Sequence, residues 1–351
     1  MRTALVSGFW GQNIGNAFFN LGGKHLLEES GLNPFFIQDM PAYATFRNEK
    51  KGSYKNSYPT LENLDFDLLV LQGPLFTRNF GNIWLDTLRT LRTQGKRWAI
   101  LGGAFRNYSG KELSIAAEVV RAVPPDFIST RDSVSHGMLE GAGLSLPLRN
   151  GIDSAFFLPE TYDPPTSKKK SLVLCFDHFG EPEIFADVDG GIELQDGRYR
   201  LLVDRRVDSM ANKSKAHAIA YNVLSRYKSR PSEIGGLKVI RPDHRTNPHL
   251  PIKIYRDPNG LASDEPWTYL AIYNNSALTI SDRVHACVAT LAYGGQAMLH
   301  NPKTKRSALF ADVEAGTIED CPTRLNEDLR KKQYVETLEF LSDVAFVEQA
   351  R

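Results

Sequence analysis

An excess of either charge is what this chain of 351 residues lacks first: 42 Lys and Arg stand against 41 Asp and Glu, a formal net charge of +1. A general nucleic-acid or membrane-surface binder would carry a basic surplus, so that class is set aside, while a local basic site is not. Cysteine is scarce. Cys175, Cys287 and Cys321 are odd in number and far apart, with no Cys-x-x-Cys or zinc-type spacing, which argues against a disulfide framework or a structural zinc. Cys175 sits in an apolar strand-like run and Cys287 in a helical stretch, and both read as buried free thiols of a reducing compartment. Long apolar runs are missing as well. No stretch approaches the roughly 18 residues of a membrane span, and Met1–Val6 is too short for a signal peptide. The expectation is a cytoplasmic protein with no nucleic-acid partner and no membrane span, peripheral membrane contact being left open. His-Glu-x-x-His does not occur. The two Asp-x-Asp spacings, Asp65–Asp67 and Asp187–Asp189, read as the wrong end of a strand and as a solvated acidic loop, so no metal is expected.

What is present is ordinary in amount and ordered in pattern. Hydrophobic residues make up 42% and charged residues 24%, as in a soluble globular protein, and the length suits two cores. Short apolar runs at 3–6, 68–71, 98–101 and 127–129 alternate with helical stretches, and each run ends in a turn or polar cluster. That alternation predicts a parallel sheet covered by helices on both faces. The tract 41–59, with Tyr43, Tyr54 and Tyr58, has no period and reads as a surface loop or as a flap that could stack on a sugar. Residues 159–170, PETYDPPTSKKK, form the best linker candidate. Beyond it the alternation restarts at Ser171–Phe176. A hairpin around Asp196-Gly197 interrupts it, expected on the edge of the sheet. An amphipathic helix over 216–227 follows, then a strand at 237–240, and the chain closes with a charged helix over 327–347 that carries one apolar stripe.

The segment Ala277–Lys303 carries the most chemistry. Its strand-like Leu278-Thr279-Ile280 is followed by Arg283 and His285, two residues apart. In an extended chain these project to one side, out of the carboxyl end of a strand. A helix to Tyr293 stops at Gly294-Gly295, and a further strand leads to His300-Asn301-Pro302-Lys303. Ligands of parallel α/β sheets bind at such strand ends, beside helix N-termini that favour anions. Arg283, His285 and Lys303 could therefore converge on one small anion, or Arg283 could merely pair with a carboxylate while His285 packs. His244 and Arg245 follow the strand 237–240 and should share that edge, as a helper acid and a second anion clamp, or as a polar surface loop. The Gly8–Gly15 turn is not a dinucleotide fingerprint. Its Gln12 and Asn13 could meet acceptor hydroxyls, or Asn13 could bond its own turn. Asp132 could cap a helix, with Arg131 paired to it or facing the cleft; Asp153 could simply anchor a turn.

The pattern Ser281-Asp282-Arg283-Val284-His285-Ala286 with His300-Asn301-Pro302-Lys303 resembles the C-terminal signature of the polysaccharide pyruvyl transferase family. Gly8–Asn16, Thr130-Arg131-Asp132-Ser133 with Gly143, and Gly151–Phe156 resemble three further segments of that family, in its order. Departures are a residue missing between Gly11 and Asn13, Asn16 in place of an acidic residue, Asn150-Gly151 in place of proline, and His300 where Tyr is common. The resemblance implies an α/β fold of two Rossmann-like domains facing a cleft, the glycosyltransferase-B type. Residues 1–160 would form the acceptor side, 171–325 the donor side, and 326–351 a closing helix returning to the first domain. It implies an enzyme that moves a pyruvyl group from phosphoenolpyruvate, its donor substrate, to a saccharide or lipid-linked saccharide, making a pyruvate ketal for surface polysaccharide, with no cofactor. His285 and His244 would be catalytic. Arg283, His285, Lys303 and Arg245 would hold the donor, and Gln12, Asn13 and Arg131 the acceptor. A nucleotide-sugar glycosyltransferase and a non-catalytic saccharide-binding protein are the alternatives.

Overall fold

The computed structural model describes residues 1–8, 10–11, 13–39, 61–177, 181–202, 230–245, 257–300 and 306–345, with Ala216, Ala220 and Ile254. The expectations for Gln12, Lys303, the 41–59 tract and most of the 216–227 helix fall outside them.

The first half is a parallel sheet with helices between its strands. Its elements are β1 (Arg2–Gly8), α1 (Gly15–Glu29), β2 (Asn33–Asp39), β3 (Leu68–Gln72), α2 (Phe80–Thr93), β4 (Arg97–Gly103), α3 (Gly110–Ala122), β5 (Ile128–Thr130), α4 (Ser133–Gly141), β6 (Leu148–Asn150) and the single turn α5 (Leu158–Thr161). The strand order is β2-β1-β3-β4-β5-β6, all parallel. Strand β3 is buried at all five positions, as a strand covered on both faces must be. Helix starts are specified locally. Ser109 and Glu112 form a capping box on α3, and Asp132 caps α4 by accepting from Ser135 N–H.

The second half restarts at β7 (Ser171–Cys175). It continues through β8 (Glu183–Ala186), β9 (Ile192–Leu194), β10 (Gly197–Leu202), β11 (Glu233–Ile234), β12 (Leu237–Pro242), β13 (Gly260–Leu261), α6 (Pro266–Asn274), β14 (Ser276–Ser281), α7 (Val284–Ala292), β15 (Gln296–Leu299), α8 (Ala308–Ala311) and α9 (Glu327–Ala345). Its main order is β11-β12-β7-β14-β15, parallel except for the β11–β12 pair, with β13 beside β12. One expectation is corrected here. The Asp196-Gly197 hairpin does not extend this sheet: β8, β10 and β9 form a separate antiparallel sheet. The physical reason is apolar: Ile192 and Leu194 are buried against Leu172, Leu174 and Val239, so the small sheet covers a face and not an edge.

In both sheets the strand order reverses beside the first strand, between β1 and β3 and between β7 and β14. These are the switch points at which α/β sheets open a crevice. One apolar core joins the halves: Phe18, Phe19 and Phe156 from the first share a cluster with Tyr273, Cys287 and Leu291 from the second. Backbone pairing reinforces it, with Ile14 N–H donating to the His244 carbonyl at 2.9 Å and Asn13 bridging Arg245.

Helix α1 can lie against the turn Ser154–Phe157 only because residue 22 is glycine. A Cβ there would stand 1.9 Å from the Ser154 carbonyl oxygen. Helix α9 packs on the first half. Phe340 meets Phe127 and Tyr334 meets Phe157, while Arg330, 3% exposed, donates to Glu160 and to the Phe156 carbonyl.

Candidate active site

Between the two sheets lies a cavity of about 90 Å³. Its polar lining comes from the segments that follow strand ends: Asn13 and Asn16 after β1, Arg131 after β5, His244 after β12, Asp282, Arg283 and His285 after β14, and Arg306 after β15, three guanidiniums against one carboxylate. Convergence of so many strand ends follows from two parallel sheets turned face to face at their carboxyl edges.

Arg283 and His285 meet there by a different route from an extended strand. Strand β14 stops at Ser281, whose Oγ accepts from Arg283 N–H at 2.8 Å. Arg283 is the N-cap of α7 and His285 lies in its first turn. The two side chains reach the cavity because a helix begins there, and the positive end of its dipole faces the same space. Arg283 Nη2 donates to Asn13 Oδ1 at 2.8 Å, and its Nε stands 3.6 Å from Asp177 Oδ2. Arg283 thus lines the cavity and also stands beside a carboxylate.

His285 belongs to a buried relay. Its Nε2 is 3.5 Å from Asp153 Oδ2, and the same oxygen receives Arg131 Nη1 at 3.1 Å. Asp153 also accepts from Ala155 N–H at 3.0 Å. Burial raises the Asp153 pKa, but the His285 hydrogen bond and the His285 and Arg131 charges outweigh it and hold the carboxyl at about 2. Burial drives His285 the other way, below its usual value, assisted by the charges of Arg131 and Arg306 and opposed by Asp153. A neutral imidazole donating from Nε2 to Asp153 leaves Nδ1 as an acceptor. That nitrogen faces Gly15, where a Cβ would come within 3.2 Å of it.

Arg131 is 2% exposed. Burial works against its charge, but Asp153, Tyr108 and Asp132 more than offset this and raise its pKa. Its Nε and Nη2 have no hydrogen-bond acceptor among the described residues, an unusual state for a buried guanidinium. Tyr108, in the left-handed region at φ 51°, donates to Asp132 Oδ2 at 3.2 Å. Burial is the main force that pushes its hydroxyl up to about 12.

His244 lines the cavity but is buried, its Nε2 engaged by the Tyr273 hydroxyl and its backbone N–H donating to Asp177 Oδ2. Arg245 pairs through its backbone with Asn13, and its side chain is exposed. Asn13 Nδ2 donates to Asn16 Oδ1 at 3.1 Å, so it both bonds its own turn and reaches Arg283. Asp65 and Asp67 hold Arg2 at the amino end of β3, and Glu181 is taken by Arg241 and Arg230. Sequence reasoning missed Arg306, Asp177 and the His285 partnership of Asp153. Arg306 had a signal in the basic run after β15, whereas nothing local announces the other two.

The family model described as polysaccharide pyruvyl transferase matches residues 13–299. Solved structures share the architecture at low identity. A complex of S. aureus MnaA with UDP is 12% identical with a TM-score of 0.53, covering 98% of this chain and 91% of that one. A putative UDP-N-acetylglucosamine 2-epimerase from Listeria monocytogenes is 12% identical with a TM-score of 0.51, covering 99% and 90%. No functionally curated protein matches the sequence. Likeness at this identity speaks for fold: two Rossmann-like domains facing a cleft, of the glycosyltransferase-B type.

Proposed function

The chain belongs to the polysaccharide pyruvyl transferase family, and from that premise we propose that it transfers the pyruvyl group of phosphoenolpyruvate to two hydroxyls of one saccharide, closing a pyruvate ketal. The observation that carries this reading is the cationic cavity: Arg283, Arg131 and Arg306 surround His285 at the N-terminus of α7. Phosphoenolpyruvate carries a phosphate and a carboxylate on three carbons. Guanidinium groups grip such anions side-on, and three of them line this one cavity. Arg283 clamps the donor. Arg131 holds Asp153 with one nitrogen and adds a buried positive charge to the cavity wall. Lys303, outside the described residues, completes the set as a point charge. Arg245 and His244 receive no step: one is directed to solvent, and the other is engaged by Tyr273.

The chemistry runs through His285. Its pKa is depressed in the free protein, and the donor's negative charge raises it, so donor binding brings a proton onto the ring. That proton passes to the methylene carbon, making C2 oxocarbenium-like. A sugar hydroxyl adds at C2 and returns its proton to His285. The C2–O bond to phosphate then breaks, and phosphate leaves with that proton. A second hydroxyl closes the ketal and reprotonates His285. Asp153 orients the imidazole throughout, as a positioning residue that touches neither substrate. Asn13 is assigned to the acceptor, and Gln12, outside the described residues, is assigned to it by its place in the sequence.

To test this, purified protein is incubated with phosphoenolpyruvate and galactose-, glucose- and mannosamine-type acceptors, with and without chelator. Acceptor-dependent phosphate release, and a product heavier by one ketal, is the expected result. Tight binding of a nucleotide sugar without any binding of phosphoenolpyruvate would replace this reading by glycosyl transfer.

A further inference from the structure

We propose that a groove at the amino-terminal edge of the second sheet binds an acidic stretch of the saccharide acceptor, away from the reacting centre. The inference rests on the saccharide-acceptor reading above and deepens it.

The groove encloses about 640 Å³, within the range of roughly 300–1,000 Å³ typical of clefts that hold a ligand. Ser171 opens β7, Lys238 lies beside it in register at the start of β12, and Asn275 immediately precedes β14. All three mark the end of the sheet opposite the reaction cavity. Trp267 and Ile272 of α6 form one wall and the 162–170 segment the other.

Two features specify the occupant. The first is an aromatic platform: Trp267, 39% exposed, lies 4.8 Å from Tyr162 between ring centroids. Such faces pack against the C–H face of a sugar ring while its hydroxyls stay in water. The second is charge. Lys169, Lys170 and Lys238 line the groove, and no Asp or Glu does so among the described residues. A neutral chain leaves those ammonium groups without counter-charge, whereas uronate or ketal carboxylates supply it. The wall is held in advance of binding. Asn274 and Asn275 donate to the Pro164 and Pro165 carbonyls at 3.3 and 2.8 Å, and Lys170 Nζ donates to the Asn274 carbonyl at 2.8 Å. A concave, preformed groove fits a polymer segment; a membrane surface would ask for a flat or protruding patch.

The test is a titration of the whole protein followed by tryptophan fluorescence. Trp84 and Trp98 are buried and Trp10 is half-buried against Phe36, so Trp267, the most exposed of the four, should dominate the change at this groove, and its replacement identifies the signal. The probes are an oligogalacturonide, a neutral malto-oligosaccharide of the same length, and phosphatidylglycerol vesicles. The oligogalacturonide is expected to change the signal, and Trp267→Leu to abolish that change. Lys169→Glu with Lys238→Glu is expected to weaken binding about tenfold, about 1.4 kcal/mol, with the affinity falling as salt rises. The same variants should leave phosphate release with a monosaccharide acceptor unaltered. Equal binding of the neutral chain, affinity untouched by the variants, or a response to vesicles alone would overturn the groove. The titration needs no turnover, so the two readings fail separately. Transfer without oligogalacturonide binding removes the groove alone; binding without transfer removes the reaction.

Discussion

At the scale of the residue, the site turns on Asp153, a carboxylate shared by Arg131 and His285. Replacing it with Asn keeps the shape and removes the charge. Asp153→Asn is expected to lower kcat by one or more orders of magnitude, in the usual range for general acid–base groups, about 10²–10⁴-fold at most. Donor KM should change little, and the pH–rate profile should shift, a change that lost packing alone would not give. Steady-state kinetics across pH checks this. Arg283→Ala is expected to act on the other parameter. Losing a hydrogen bond to a charged group costs about 1.5–3 kcal/mol, roughly ten- to a hundred-fold in donor affinity. Stability should follow the same pair. The Asp153 carboxyl titrates at about 2 when folded against 3.8 ordinarily. Its contribution, about 2 kcal/mol, is complete above the unfolded value and lost as pH falls toward the folded one. His285 is depressed below 6.5, so the unfolded chain takes up its proton first, and this loss begins as pH drops through 6.5. Urea midpoints measured down the pH scale should therefore fall in two stages, and the first should vanish in His285→Gln.

At the scale of the element, the tightest constraint is the contact of α1 with the Ser154–Phe157 turn. Gly22→Ala would put a methyl group 1.9 Å from a carbonyl oxygen, and neither helix nor turn has a flexible side chain to yield. Overpacking of this kind costs about 1–3 kcal/mol or more. Because the turn begins at Asp153, activity should fall beyond what the lost stability explains. Thermal melts and kinetics on the variant that remains folded separate the two effects. This constraint could not be read in the chain, where a glycine pair inside a helix shows only as weak propensity. The strands were legible, since β1, β3, β4 and β14 are apolar runs closed by glycine, proline or polar clusters. The convergence of Arg283 and His285 was legible too, but not its means. A two-residue spacing suggests an extended chain, while the structure turns at Asp282 and starts a helix. The Asp153–His285 pairing joins positions 132 residues apart, a distance over which periodicity carries no information.

At the scale of the whole molecule, the two halves are joined by a shared apolar cluster and by α9. A core that passes from Phe18 and Phe156 to Tyr273 and Leu291 does not let one sheet unfold while the other stays intact. Calorimetry should give one transition, with calorimetric and van't Hoff enthalpies in agreement. Arg330→Met should lower its temperature, because Glu160 would keep a partly buried charge without a partner. The two-sheet plan was legible from the restart of alternation after the 159–170 segment. The separate β8-β10-β9 sheet was not, because a hairpin signal fixes a turn and says nothing of what the strands cover.

The hydrogen bond between Arg283 and Asn13 links the halves in one further respect. The guanidinium that we assign to the donor is held by the Asn13 amide, which we assign to the acceptor. Whatever engages that amide frees the guanidinium, and by reciprocity whatever engages the guanidinium frees the amide. Kinetically this is cooperation between unlike substrates. The apparent KM for donor should fall as acceptor rises, and in Asn13→Ala the two should become independent, with intersecting initial-rate plots meeting on the concentration axis.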